Sequence, residues 1–194
     1  MTNLNNKIVL ITGAGRGMGQ ALAEAFAAQG ASVAANDINP IGLETTVARI
    51  QAAGGRVNDY AFDLTKLLPI VALIQQVLDD FGRIDILVNA DFVRPADPIF
   101  EMDEWDFHRT LDVNLTGPFF LTQRAGRMMQ QQGGGVILNV VGGDPQGGAA
   151  YQASLAARTA LAKASAEELA PYGIRVHWLS ASPDAVQQAL EWCS

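Results

Sequence analysis

Short apolar runs alternate with longer segments of helical periodicity along almost the whole chain, and few architectures accept that pattern. Lys7–Thr12, Ser32–Asn36, Arg56–Phe62, Ile84–Asn89, Val136–Val141 and Ile174–Leu179 read as strands. All but the third are near-continuously apolar, as strands covered on both faces must be. Between them Gly17–Gln29, Leu43–Ala53, Lys66–Phe81, Asp106–Gln132 and Ala150–Ala170 read as helices, with Gly30, Gly54, Gly82 and Gly133 as stop signals. Strands joined by helical crossovers run parallel, and the crossovers are right-handed. The expectation is an α/β fold: three layers, doubly wound, with a parallel sheet of about six strands in the order 3-2-1-4-5-6. Pro183–Trp192 reads as one further helix. No linker, repeat or composition shift interrupts the pattern, so residues 1–194 are expected to form a single domain.

The strongest local signal lies where the first strand meets the first helix: Thr12-Gly13-Ala14-Gly15-Arg16-Gly17-Met18-Gly19. A tight turn without side chains lets the backbone approach a pyrophosphate, and the following helix N-terminus offers oriented N–H donors. The spacing is T-G-x-x-x-G-x-G rather than G-x-G-x-x-G, because Met18 stands where the latter needs glycine. Asp37 closes the second strand, where a carboxylate accepts hydrogen bonds from both ribose hydroxyls of an adenosine and repels a 2′-phosphate. That favours NAD over NADP. Arg16 is the one dissenting residue, since a guanidinium in the glycine loop could reach a 2′-phosphate.

Charge and composition exclude other classes. Thirteen Lys and Arg against 20 Asp and Glu give a formal net charge of −7, which argues against nucleic acid or an anionic membrane as a partner. A lone cysteine, Cys193, permits no internal disulfide, and His108 and His177, without a neighbouring cysteine, make no metal site. The apolar run Ile8–Ile11 is too short for a signal peptide or a membrane span, so a cytoplasmic location is expected.

Taken together these residues resemble the short-chain dehydrogenase/reductase family, and the resemblance runs over nearly the whole chain. Beside the glycine loop (Gly13, Arg16, Gly17, Met18, Gly19) and Asp37, the pair Asp63-Leu64 looks like the family's adenine-contacting segment. Asn89-Ala90 looks like the start of its Asn-Asn-Ala-Gly motif, and Asn114-Leu115-Thr116-Gly117 like its Asn-bearing helix. Tyr151-x-Ala-Ser looks like the opening of its Tyr-x-x-x-Lys motif. The resemblance implies a Rossmann fold, a nicotinamide dinucleotide cofactor, a small-molecule substrate, and a homodimer or homotetramer paired through the helices here at Asp106–Gln132 and Ala150–Ala170.

The family's catalytic tetrad is Asn, Ser, Tyr and Lys, and it is incomplete here. Tyr151 and Asn114 stand in place, but the lysine position is Leu155. Four residues is the spacing that stacks two side chains on one helical face. Arg158 shares that face but lies roughly 10 Å along the axis from Tyr151 at about 1.5 Å per residue. A tyrosine without its cation is a poor base at neutral pH. The usual Asn-x-Ser-Ser turn reads Asn139-Val140-Val141-Gly142-Gly143-Asp144, which leaves Gly142 near the serine position and Asp144 as an opposing carboxylate. Asn-Asn-Ala-Gly becomes Asn89-Ala90-Asp91-Phe92, and the Pro-Gly after the sixth strand aligns with Ala181-Ser182. The segment that supplies a substrate lid and a seventh strand in the family is not matched, which leaves the sixth strand as an edge for the terminal helix to cover.

Three readings follow. The chain is a homologue that binds NAD with impaired or absent hydride transfer, or an active NAD-dependent alcohol or ketone oxidoreductase with an atypical proton relay. The third is a structural or regulatory subunit assembling through its helices.

Overall fold

The computed structural model describes residues 3–142 and 147–193. Six strands, β1 (Ile8–Ile11), β2 (Ser32–Asn36), β3 (Arg56–Tyr60), β4 (Ile86–Asn89), β5 (Gly135–Val140) and β6 (Ile174–Leu179), form one parallel sheet in the order β3-β2-β1-β4-β5-β6. Val9 pairs with Val33 on one side and with Ile86 on the other, which centres β1 in the sheet. The order is the expected one, with the chain reversing direction across the sheet between β1 and β4.

Side chains alternate across each strand, and the two faces make two cores. Val9, Ile11, Val33 and Val88 meet Leu22 and Phe26 of α1 (Gly17–Ala28) and Leu43 and Ile50 of α2 (Pro40–Ala52). Ile8, Leu10, Leu87 and Ile137 meet Leu73 and Val77 of α3 (Leu67–Phe81), Leu121 and Met129 of α5 (Gly117–Gln132), and Ala162 of α6 (Ala149–Leu169). β3 carries buried residues only at Val57 and Tyr60, as an edge strand would. α3 and α5 end at Gly82 and Gly133, both in the left-handed conformation.

Two helices depart most from the expected bounds. The second starts at Pro40, not Leu43, because the Asn39 side chain accepts a hydrogen bond from the Ile41 N–H and Pro40 takes the first helical position. The long helix expected over Asp106–Gln132 is α4 (Glu104–Leu111), a π-helical turn over Asp112–Thr116, and α5. Pro118 has no N–H for the Asn114 carbonyl, so the i→i−4 ladder breaks, and the Gly117 N–H reaches back to Asp112 instead. The wider turn rolls Asn114 inward until its side chain is fully buried.

The terminal helix, α7 (Ala185–Trp192), packs beside α1. Ala185, Ala189, Leu190 and Cys193 join the same core as Leu22 and Phe26, and the Trp192 ring stacks on His177 of β6 at 4.8 Å. It covers one face of β6, and no strand among the described residues pairs with the outer edge of β6. No helix among the described residues is long and apolar enough to cross a membrane.

Burial at the α7 contact pushes the Cys193 thiol up to about 12. Thiolate is the reactive form. Cys193 is therefore expected to resist Ellman's reagent at pH 8 in the folded protein and to react within seconds once urea unfolds it; rapid reaction of the folded chain would mean that α7 is not seated.

Candidate functional site

The glycine loop is shaped by close backbone approaches. A Cβ on Gly19 would lie 2.1 Å from the Gly13 carbonyl oxygen, and one on Gly13, which has φ of +64°, would lie 2.7 Å from the Asp91 backbone. The loop is therefore pressed between the start of α1 and the end of β4, and only glycine fits either position. Thr12 stitches the strands beneath it: its hydroxyl accepts from the Ala90 N–H at 3.2 Å and donates to Asp91 Oδ1 at 2.5 Å. Asn36, buried at the end of β2, donates from Nδ2 to the carbonyls of Tyr60 and Phe62, which sets the neighbouring strand ends level.

These ends surround a cleft of about 500 Å³. Gly13, Arg16, Gly17, Met18, Asp37, Asp63, Leu64 and Ala90 all line it, so eight of the cofactor residues read from the sequence converge. The Asp37 carboxylate accepts the Gly15 N–H through one oxygen and the Asn39 N–H through the other, both at 2.9 Å, and faces the cleft from the end of β2. Gly19 and Asn89 do not reach it. Gly19 lies under the loop, and Asn89 is buried, with Nδ2 donating to Asn139 Oδ1 across the β4–β5 pair at 3.0 Å. Asn36, Asp91, Phe92 and Val93 also line it, as do Ile38, Phe62, Thr65, Arg94, Arg109 and Val113, which the sequence did not single out. Arg109 was legible only as a charge on a helix; its guanidinium lies over the exposed Trp105 ring, 5.3 Å from the centroid. Among the described residues no group of three acidic, histidine or cysteine side chains could hold a metal.

The catalytic candidates lie apart from this cleft. Tyr151 is fully buried and its hydroxyl has no hydrogen-bond partner among the described residues. Asn114 is committed: its amide oxygen accepts the Val93 N–H, and its Nδ2 donates to the Val93 carbonyl and to Ser154 Oγ, all within 2.9 Å. Gly142 has φ of +41°, and a Cβ there would lie 2.5 Å from the Tyr151 hydroxyl and 2.6 Å from a Leu155 methyl. A serine at this position would have to displace the ends of the Tyr151 and Leu155 side chains and adopt a left-handed backbone. Asp144 falls outside the described residues.

Arg158 does not reach toward a cofactor. It is fully buried, with Nη1 donating to the Asp91 carbonyl and Nη2 to the Asn89 carbonyl, both at 2.8 Å. Its guanidinium also lies 3.9 Å from Asp91 Oδ1. Burial pushes the Asp91 carboxyl up, against the pull of Arg158 and the Thr12 hydrogen bond, and burial pushes the Arg158 guanidinium down, against Asp91. Lys163 lies over the Trp178 ring, 5.7 Å from its centroid, also away from the cleft.

The comparisons with known proteins agree with the geometry. A family model for short chain dehydrogenase matches residues 7–188. An uncharacterized oxidoreductase of Thermotoga maritima is 40% identical over 180 residues, which cover 90% of this chain and 70% of that protein. A metagenomic short-chain oxidoreductase solved in complex with NADP matches with a TM-score of 0.91 at 29% identity, over 98% of this chain and 91% of that one. NAD+-bound xylitol dehydrogenase matches with a TM-score of 0.85 at 30% identity, over 96% and 84% of the two chains. The chain is a member of the short-chain dehydrogenase/reductase family, an oxidoreductase family whose fold binds nicotinamide dinucleotides.

Proposed function

We propose that this chain is a dinucleotide-binding homologue of the family's oxidoreductases in which hydride transfer is impaired or absent. One observation carries the reading: Tyr151 is fully buried, with Leu155 at the cation position and the Arg158 guanidinium on the same helix committed to main-chain carbonyls. General acid–base catalysis needs the proton donor within hydrogen-bond reach of the reacting oxygen. A fully buried hydroxyl against Gly142 and Leu155 is not within that reach.

The cofactor half of the site supports NAD over NADP. Asp37 faces the cleft with both oxygens held by backbone N–H donors, so a 2′-phosphate would meet a fixed negative charge. Relatives of similar fold have been solved with each dinucleotide, so the preference rests on Asp37 alone. Asp63 and Leu64 would flank the adenine, and the glycine loop would face the pyrophosphate.

The assembly reading has its own support. Phe119 and Tyr172, 44% and 47% exposed, flank a groove of about 250 Å³ between α5 and α6, with the Gly126 backbone at its floor. A second copy pairing there would cover both rings.

Two measurements test these statements. With NADH and a panel of simple ketones, no turnover above background is expected; steady NADH oxidation that is lost on Tyr151→Phe, or tighter binding of NADP than of NAD, would contradict the reading. In light scattering at micromolar concentration the particle should exceed the 20.6 kDa monomer at least twofold, and a clean monomer would refute the pairing of α5 and α6.

A further inference from the structure

The two ends of the cleft offer a dinucleotide very different partners. At the adenosine end stand a carboxylate positioned for ribose hydroxyls, Asp37, and a glycine loop pressed flat for phosphate approach. At the other end, among the described residues, the lysine position carries no cation, and the charged groups Arg158 and Asp91 are held by the protein itself. Leu155, an isobutyl group, replaces the only cation that the spacing allows, and its methyl packs against Gly142. The Arg158 guanidinium is fully buried on the Asn89 and Asp91 carbonyls. The Asp91 carboxylate faces Thr12 and Arg158. The Phe92 ring turns toward Tyr151, with centroids 6.4 Å apart.

The strands beside this end also stay paired past their last residues. The Ala181 N–H donates to the Gly142 carbonyl at 3.1 Å, and the Val141 N–H to the Leu179 carbonyl at 2.9 Å, so the chain segments leaving β5 and β6 stay bonded to each other.

We infer that the cleft takes an adenosine 5′-diphosphate group as its whole ligand, and that a nicotinamide riboside attached to it adds nothing to affinity. The inference rests on the reading of the cleft as a nucleotide site. It makes adenosine diphosphate and its simple esters the ligand class, with NAD one member held by its adenosine end. A protein of this kind responds to the adenine nucleotide pool and is indifferent to the oxidation state of a nicotinamide.

Calorimetric titration of the full chain with ADP, ADP-ribose, NAD+ and NADH in one buffer tests this. ADP and ADP-ribose are expected to bind at least one fifth as tightly as either dinucleotide, with NAD+ and NADH equal within twofold. Asp37→Ala should weaken ADP and NAD+ by the same factor, within threefold. Binding of NAD+ or NADH more than fivefold tighter than ADP and ADP-ribose would overturn the inference and leave the nucleotide site standing, as would a clear preference between the two oxidation states. Failure of all four to bind, or ADP binding that ignores Asp37→Ala, would overturn the nucleotide site as well.

Discussion

A fully buried guanidinium sits where helix α6 meets the end of β4, and the rest of the site is arranged around it. Arg158 donates to the carbonyls at Asn89 and Asp91 and faces the Asp91 carboxylate. Asp91 in turn accepts from Thr12, whose hydroxyl also takes the Ala90 N–H. One chain of polar contacts therefore ties α6 to the end of β4 and then to the end of β1, directly beneath the glycine loop. Such a pair is costly to bury, and its net contribution to stability is small. Breaking it is another matter: removing one partner leaves an uncompensated buried charge, typically at about 3–5 kcal/mol. The arrangement holds the strand ends in a single position.

That position has consequences for chemistry. With the end of β4 drawn toward α6, Phe92 lies against Tyr151, and Tyr151 lies against Gly142 and Leu155. The tyrosine is kept but enclosed, and the asparagine is kept but used to clamp the Val93 backbone through both its amide atoms. Two residues shared with an active-site pattern thus hold the loop after β4 in place. The adenosine half of the cleft lies on the far side of that loop, with Asp37, Asp63 and the glycine turn in place. Phosphate and ribose recognition needs only backbone N–H groups and one carboxylate. Hydride transfer needs a hydroxyl, a cation and a substrate in one place, and Leu155 stands where the family's cation would be.

Much of the fold was legible because it depends on patterns that tertiary contacts do not override. The apolar runs around Val9, Val33 and Leu87 are buried on both faces, so they could be read as parallel strands without knowing their neighbours. The glycine loop and Asp37 were legible because few other residues meet the steric and charge demands of those positions. The break at Asp112–Thr116 was not, since helical periodicity continues through it and Pro118 is also tolerated in the first turn of a helix. The early start of α2 was in principle visible in Asn39-Pro40, a cap and a first helical residue that also read as a turn. For Arg158 the spacing says only that it shares a helical face with Tyr151, too far along the axis to stand in for the lysine. Its true partners are carbonyls 67 and 69 positions away in sequence, and no local signal reports those. The same holds for Arg109 and Val113, brought to the cleft by the position of α4 and the π-helical turn.

The most direct test of this account is saturation-transfer NMR on NAD+ with the full chain, because one ligand reports both ends of the cleft at once. Saturation should pass strongly to the adenine H2 and H8 and to the adenosine H1′, and weakly or not at all to the nicotinamide H2, H4 and H6. Equal transfer to the nicotinamide protons would show that the second half of the site is formed, and would contradict the claim that Arg158, Leu155 and Phe92 close it.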